Sequence, residues 1–496
     1  VKLARRSPAT LEERRWRVLA ITGTGAFMGP LDVSAVAVAL PALGEDLGLS
    51  FSGAIWVQAG YLLAYALVLV PAGRLGDAWG RLRIWRTGLV VFALASLMSG
   101  LAPDDSWLLA WRVVQGTGGA MLAATGTALV TAVFPPAERG RALGLNIGAL
   151  YLGLSTGPLI GGVLVDGAGW RAIFLVNVPV AALALLGSLG LHEPRHEPGR
   201  LRLDLRGTLL LGVALTGVMV GFTFGPLWGW DSPRVTGLIV AGLAALAAFV
   251  VAERRARAPL VDLGMFRRSR IFALGNLASL LNYTAMFGAI ALTAVLLQVV
   301  GGHTPTETGV LMIAQPLVMV ALSPVAGHLS DRIGSRALAS GGMVLVAAGL
   351  AILASVPSDV PDTAIVLGLA VTGLGMAMFS SPNTSAVMGA AERHRLGVAA
   401  AILAMMRTLG QTLSLAILGT LAAAPLGAAG ARVLFGAEGG AEHAGAYLDG
   451  YRLAMGVGAV IALVGAALSS ARGPVAAPAT PAGVTSEGLR EAGRAR

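Results

Sequence analysis

Gly73-Arg74-Leu75-Gly76-Asp77-Ala78-Trp79-Gly80-Arg81-Leu82-Arg83 lies between two apolar runs, 54–71 and 84–102. Each run is close to the roughly 20 residues that a helix needs to cross a bilayer. Glycines allow a sharp reversal and close helix approach, and the arginines mark the cytoplasmic face. Alone, the stretch is an ordinary basic loop. It is repeated, however. Gly327-His328-Leu329-Ser330-Asp331-Arg332-Ile333-Gly334-Ser335-Arg336 keeps the Gly, Asp and Gly spacing between two further apolar runs. The chain therefore reads as two related halves.

Composition points the same way. Of 496 residues, 55% are hydrophobic and only 12% charged, and mean hydropathy is +0.76. A soluble chain of this length needs more charge to solvate its surface, so this is an all-α, multi-pass membrane protein. The net charge of +10 falls in short arginine clusters between apolar runs, which reads as orientation and excludes a nucleic-acid face. With no cysteine, neither disulfides nor thiolate metal sites are available. The histidines are scattered over loops without metal spacing, and no Gly-x4-Gly-Lys-Ser/Thr phosphate loop occurs. No nucleophile–base constellation stands out. We expect no metal, no cofactor and no enzymatic activity. The basic stretch 1–16 leads into the first apolar run without a small-residue cleavage site, which predicts an uncleaved first helix.

Fourteen spans are predicted, at 17–40, 53–72, 84–102, 106–133, 142–165, 172–191, 206–227, 235–252, 271–299, 307–327, 337–356, 362–388, 396–421 and 450–471. An even number puts both termini on one side. One set of loops carries Arg14, Arg15, Arg74, Arg81, Arg83, Arg139, Arg141, Arg254, Arg255 and Arg336, while the alternate set carries Glu45, Asp46, Asp104, Asp166, Asp231 and Asp359. Both termini are therefore cytoplasmic. Gly116-Thr117-Gly118-Gly119 in the fourth span echoes Gly373-Leu374-Gly375-Met376 in the twelfth. Spans 1–6 thus match 9–14, and 7 and 8 are an inserted pair. The expected organisation is a cytoplasmic N-terminus (1–16), a six-helix bundle (17–191), a linker (192–205), the inserted pair (206–252) and a second linker (253–270). A second six-helix bundle (271–471) follows, with an extracellular loop at 422–449, and then a disordered cytoplasmic tail at 472–496.

Asp32, inside the first span, is the sharpest candidate. A carboxylate at that depth is costly and by default marks an ion or substrate path, a structural ion pair being the alternative. Arg112, in the fourth span, is its natural partner: the two lie roughly 12 Å and 9 Å from the outer ends of their helices. In the fifth span, Gly157-Pro158 permits a bend, and Gly161 and Gly162 offer close packing. Arg407 and Gln411 lie one turn apart in the thirteenth span with no acid of that half at similar depth. Arg407 either reaches Asp32 or a carbonyl, or faces a watery cavity and meets substrate. Gln58, Tyr61, Gln115, Asn146, Tyr151, Asn282, Tyr283 and Gln315 are further polar groups within spans. Some line a path and others are satisfied helix–helix bonds.

The loop Gly73–Arg83 resembles the signature of the major facilitator superfamily. Arg112-x-x-Gln115-Gly116 resembles its proton-linked motif, and Gly157-Pro158-x-x-Gly161-Gly162 the motif of its exporters. Leu31-Asp32-Val33 with Ala39-Leu40-Pro41, and Trp170-Arg171-x-x-Phe174-x-x-Asn177-Val178-Pro179, resemble the fourteen-helix drug:proton antiporters of EmrB/QacA type. The second loop departs from the first, with His328 and Ser330 where Arg74 and Gly76 stand. The resemblance implies the major facilitator fold in a bacterial inner membrane, without cofactors, exporting small amphipathic compounds in exchange for protons. It implies a monomer among membrane lipid, with Asp32 and Arg112 coupling the proton. Gly73, Asp77, Gly80, Arg81 and Asp331 would act as a conformational switch. In the outward-open state Asp77 would meet the first turn of span 13, and Asp331 that of span 5. The same machinery also fits a dedicated exporter of one endogenous metabolite or lipid. A non-transporting sensor or scaffold would leave the coupling motifs without a purpose.

Overall fold

A computed structural model describes residues 14–191, 204–256, 263–391, 396–427 and 439–473, together with Glu193 and Pro259. The N-terminal stretch, most of the 192–205 linker and residues 474–496 of the expected tail lie outside the described residues, as does the side chain of Asp331.

Among the described residues fourteen helices are long and apolar enough to span a membrane. We number them α1 (Arg15–Leu47), α2 (Phe51–Trp79), α3 (Arg81–Gly100), α4 (Asp105–Val133), α5 (Pro136–Ala168), α6 (Arg171–Leu175 and Asn177–Ser188), α7 (Leu205–Trp228) and α8 (Pro233–Arg255). The second half contains α9 (Arg270–Val295, continued by the π-turn Leu296–Val300), α10 (Pro305–Met312 and Ala314–Ile333), α11 (Ser335–Ala354), α12 (Asp362–Gly389), α13 (Leu396–Ala423) and α14 (Gly439–Ser470). Helix is the only open-ended way to satisfy backbone polar groups in lipid. Short polar caps set the boundaries: Ser50 accepts from Gly53 N at 3.1 Å and Asp104 from Trp107 N at 2.8 Å. Thr304 and Glu307 form a reciprocal box at the start of α10. The two signature loops turn on matching glycines, Gly80 at φ 100° and Gly334 at φ 89°, a region that side chains with a Cβ avoid.

Several helices run past the expected apolar limits. Charge ends a hydrophobic run but does not end a helix, so α5 begins at Pro136, with proline at its first position. The last helix begins at Gly439, inside the stretch expected to be the loop 422–449. Arg472, expected in a disordered tail, is 3% exposed and donates to Ser469 Oγ at 2.7 Å.

The halves repeat in their packing as well as in their loops. A Cβ on Gly116 would run into the Tyr61 carbonyl, and one on Gly373 into the Gln315 carbonyl. These are the same helix crossings, α4 on α2 and α12 on α10. The inserted pair lies outside the two bundles, with α7 against both α2 and α13: Ser52 donates to Thr223 O at 2.9 Å and Thr420 to Phe222 O at 2.8 Å. Leu183, Leu209 and Val240 project outward, each more than half exposed, as lipid-facing side chains do.

The two halves meet at their extracellular ends. Every residue from Leu31 to Leu40 of α1 is buried, as is every residue from Asn282 to Ala289 of α9. Gln298 donates to Val38 O at 2.8 Å, and Thr306 N to Asp166 at 2.9 Å. Gly162 of α5 lies against the Pro305 carbonyl, and Gly309 of α10 against the Pro158 carbonyl. On the cytoplasmic side Thr127, Ser381 and Thr384 are exposed along α4 and α12. The halves are thus closed against each other at their outer ends.

Gly162→Val would wedge the α5–α10 seam, since overpacking costs about 1–3 kcal/mol. In this cysteine-free chain, a cysteine replacing Val38 should then be labelled from outside at least about fivefold faster by an impermeant maleimide. Unchanged labelling would mean that the seam does not hold the closed state.

Candidate functional site

Asp32 and Arg112 form an ion pair with Nη1–Oδ2 at 2.5 Å, and neither side chain has any exposed surface. Burial of two charges is tolerable only if their remaining donors and acceptors are met. They nearly all are. The second carboxylate oxygen accepts from Gln115 Nε2 and from Asn177 Nδ2, each at 2.9 Å. Arg112 Nε donates to Val57 O at 2.8 Å and Nη1 to Gln115 Oε1 at 2.6 Å. Gln115 also donates to Ser96 Oγ at 2.9 Å. The guanidinium stacks on the rings of Tyr61 and Phe174, 4.6 Å and 5.5 Å from their centroids, an attraction that strengthens when water is absent. Only Arg112 Nη2 has no hydrogen-bond partner. Helices α1, α2, α3, α4 and α6 thus converge on one carboxylate.

Sequence reasoning paired Asp32 with Arg112 but gave Asn177 no such role. Asn177 starts the second segment of α6, just after the interruption at Val176. Its signals were an amide inside an apolar run and its place in the stretch Trp170–Pro179 that resembles the fourteen-helix antiporters.

The cavity is separate from this cluster. It lies between the halves and encloses about 1110 Å³, counting its open mouth. Its walls carry Tyr61, Tyr65, Tyr151 and Tyr283, the methionines 286, 312, 319 and 376, and the polar groups Gln315, Arg407 and Gln411. Six of the ten expected cavity residues therefore line it: Tyr61, Tyr151, Tyr283, Gln315, Arg407 and Gln411. Gln115 does not, because its amide is spent on the Asp32 cluster, and Gln58, which donates to Val33 O at 3.1 Å, faces a small adjoining pocket that shares Val33, Ser34 and Leu154 with the cavity wall. Asn146 is buried outside the lining, and Asn282 donates to the Met376 sulfur at 2.9 Å. Arg407 does not reach Asp32: its guanidinium lies beside the Tyr283 hydroxyl. Tyr151 reaches across the halves to Ser380 Oγ at 3.0 Å. The methionines gave no warning in the sequence, since apolar residues look alike whether they face lipid, core or cavity.

Asp77 is exposed and bonded within its own half, to Arg81 Nη2 at 2.9 Å. Gly76 lets α2 lie against α4, where a Cβ would come within 2.8 Å of the Thr125 methyl. The loop is also tied to the linkers: Arg74 donates to Pro259 O at 2.5 Å, and Leu82 N to Glu193 at 3.0 Å. At the outer end, Asp46 accepts from Trp170 at 3.0 Å and Arg171 at 2.7 Å, joining α1 to α6.

Comparison with known proteins agrees with this architecture. The family model described as Major Facilitator Superfamily matches residues 22–301 and 272–492. The multidrug resistance protein Stp of Mycobacterium tuberculosis is 37% identical over 83% of this chain and 76% of its own. The tetracenomycin C resistance and export protein of Streptomyces glaucescens is 33% identical over 85% and 78%. A crystal structure of a bacterial homologue of the human lysosomal transporter Spinster, inward-facing and unoccupied, superposes with TM-score 0.69 at 18% identity, covering 92% of this chain and 96% of that one. With two six-helix halves, an inserted helix pair and a cavity between the halves, this chain belongs to the major facilitator superfamily of membrane transporters.

Proposed function

We infer that the protein is a proton-coupled exporter that moves small amphipathic organic compounds, drugs among them, out across the cytoplasmic membrane of a bacterium. The observation that carries this reading is the sealed Asp32–Arg112 pair beside, and not inside, the cavity. A carboxylate so placed cannot bind a bulky solute, but it can bind a proton. Protonation removes the charge that holds Arg112, so the tie between α1 and α4 weakens. Tyr61 and the turn Gly29–Ser34 of α1 belong to both places, because Tyr61 covers the guanidinium and also lines the cavity. A ligand in the cavity and a proton on Asp32 therefore act on the same helices. By linkage, each changes the affinity for the other only through its preference between inward- and outward-facing states. The names of the relatives, multidrug resistance and tetracenomycin C export, support a drug-like cargo. The drive is the proton gradient, with the chain acting as a monomer.

Asp32→Asn keeps the size and hydrogen-bonding capacity of the side chain but removes its titration. In proteoliposomes, gradient-driven transport should fall roughly 5–150-fold, the span of a 1–3 kcal/mol coupling, while exchange of labelled for unlabelled substrate without a gradient persists. Gradient-driven transport at the wild-type rate would refute the assignment. Arg112→Met should strand the buried carboxylate and destabilise the protein by about 3–5 kcal/mol, read as a fall in thermal midpoint in detergent. Adding Asp32→Asn to that variant should recover most of the loss.

A further inference from the structure

Arg407 is the only charged side chain among the described residues that line the cavity, and no carboxylate stands among them. The acid of the transport machinery, Asp32, is walled off behind Tyr61 and already paired. None of the ion pairs between described residues includes Arg407. Its contact is a neutral one, with the Tyr283 hydroxyl, and Tyr65 and Tyr151 lie within its electrostatic reach. The cavity thus holds a net positive charge in surroundings that screen it poorly. A cationic ligand would add a like charge to that space, and an anionic one would neutralise it.

The remaining surface has its own preference. Tyr61 and Tyr65 stack with centroids 6.2 Å apart and planes inclined by 28°. Met286, Met312, Met319 and Met376 supply polarisable sulfur that packs on aromatic rings. A guanidinium can take a carboxylate or phenolate by paired hydrogen bonds and can also lie on an aromatic face. From these observations we propose that the cavity selects planar aromatic anions, with Arg407 as the charge-recognising residue and the Tyr–Met surface as the aromatic slot. Binding replaces the Arg407–Tyr283 contact by a charge-assisted one, and the Tyr283 hydroxyl, which also meets Ser380, can turn to donate to the same anion. This rests on the exporter reading above only in naming the cavity as the cargo site.

The test uses one ring system carrying three groups: anthracene-2-carboxylate, anthracene-2-carboxamide and an anthracen-2-yl trimethylammonium salt. Affinities are measured on the purified full chain in nanodiscs by ligand fluorescence. The carboxylate should bind at least about tenfold more tightly than the ammonium compound, the ratio that one charge-assisted contact supplies. Arg407→Gln should weaken carboxylate binding by about tenfold while the carboxamide stays within about twofold, which also shows that the variant is folded. Arg407→Lys should keep part of the preference. Equal or tighter binding of the ammonium probe, a carboxylate preference that survives Arg407→Gln, or no binding of the carboxylate would overturn the proposal. The same measurements on Asp32→Asn separate the two readings. Anion preference with gradient-driven transport intact in that variant refutes proton coupling at Asp32 and leaves the aromatic-anion site standing.

Discussion

A carboxylate and a guanidinium, both without exposed surface, impose more on this protein than any other contact. Their Coulomb attraction does not by itself offset the loss of water. The remaining hydrogen bonds and ring contacts decide whether the arrangement is tolerable, and they come from four helices, α2, α3, α4 and α6. Val57 supplies a carbonyl, Gln115 and Asn177 supply amides, and Tyr61 and Phe174 cover the cation. A change in the charge of Asp32 therefore alters the mutual fit of much of the N-terminal bundle. The C-terminal bundle, by contrast, presents Arg407 to a cavity. The two arginines are used oppositely, one satisfied and sealed, the other half-buried and facing open space.

Small residues make this arrangement movable. At Gly162 against Pro305 and at Gly309 against Pro158, backbone meets backbone across the halves. Contacts of this kind pack closely without interlocking long side chains, so they can separate and re-form. The signature loops add glycines at positive φ, which hold the reversals between α2 and α3 and between α10 and α11 at fixed geometry. Rigid bundles that meet along a smooth seam are what alternating access needs.

Much of this was legible in the sequence, and the reasons differ by element. Fourteen spans follow from hydropathy, because the bilayer demands long apolar runs. The two halves showed in the Gly–Asp–Gly loops and in Gly116 and Gly373, where only glycine fits. The Asp32–Arg112 pair was legible because charge inside an apolar run has few explanations. Side-chain direction was not. Gln58 and Gln115 resembled Gln315 and Gln411 as polar residues in spans, yet two are consumed by neighbours and two face the cavity. A rotation of some tens of degrees about a helix axis makes that difference, and hydropathy does not resolve it. Helix ends were missed for another reason: α5 and α14 continue beyond their apolar runs into water, where nothing in composition distinguishes helix from loop.

The position of the inserted pair decides how the bilayer meets the two seams between the bundles. The bundles touch along two lateral seams, α2 with α13 on one flank and α5 with α10 on the other. Helix α7, backed by α8, lies across the first and is bonded to both of its walls through Ser52 and Thr420. Leu152 and Val163 of α5 and Leu317 and Val320 of α10 stay outward on the second, each about half exposed or more. The second seam therefore presents its own apolar side chains to the bilayer, while the first lies behind α7 and α8. The two extra helices thereby turn a nearly two-fold symmetric molecule into one with a shielded flank and an open one.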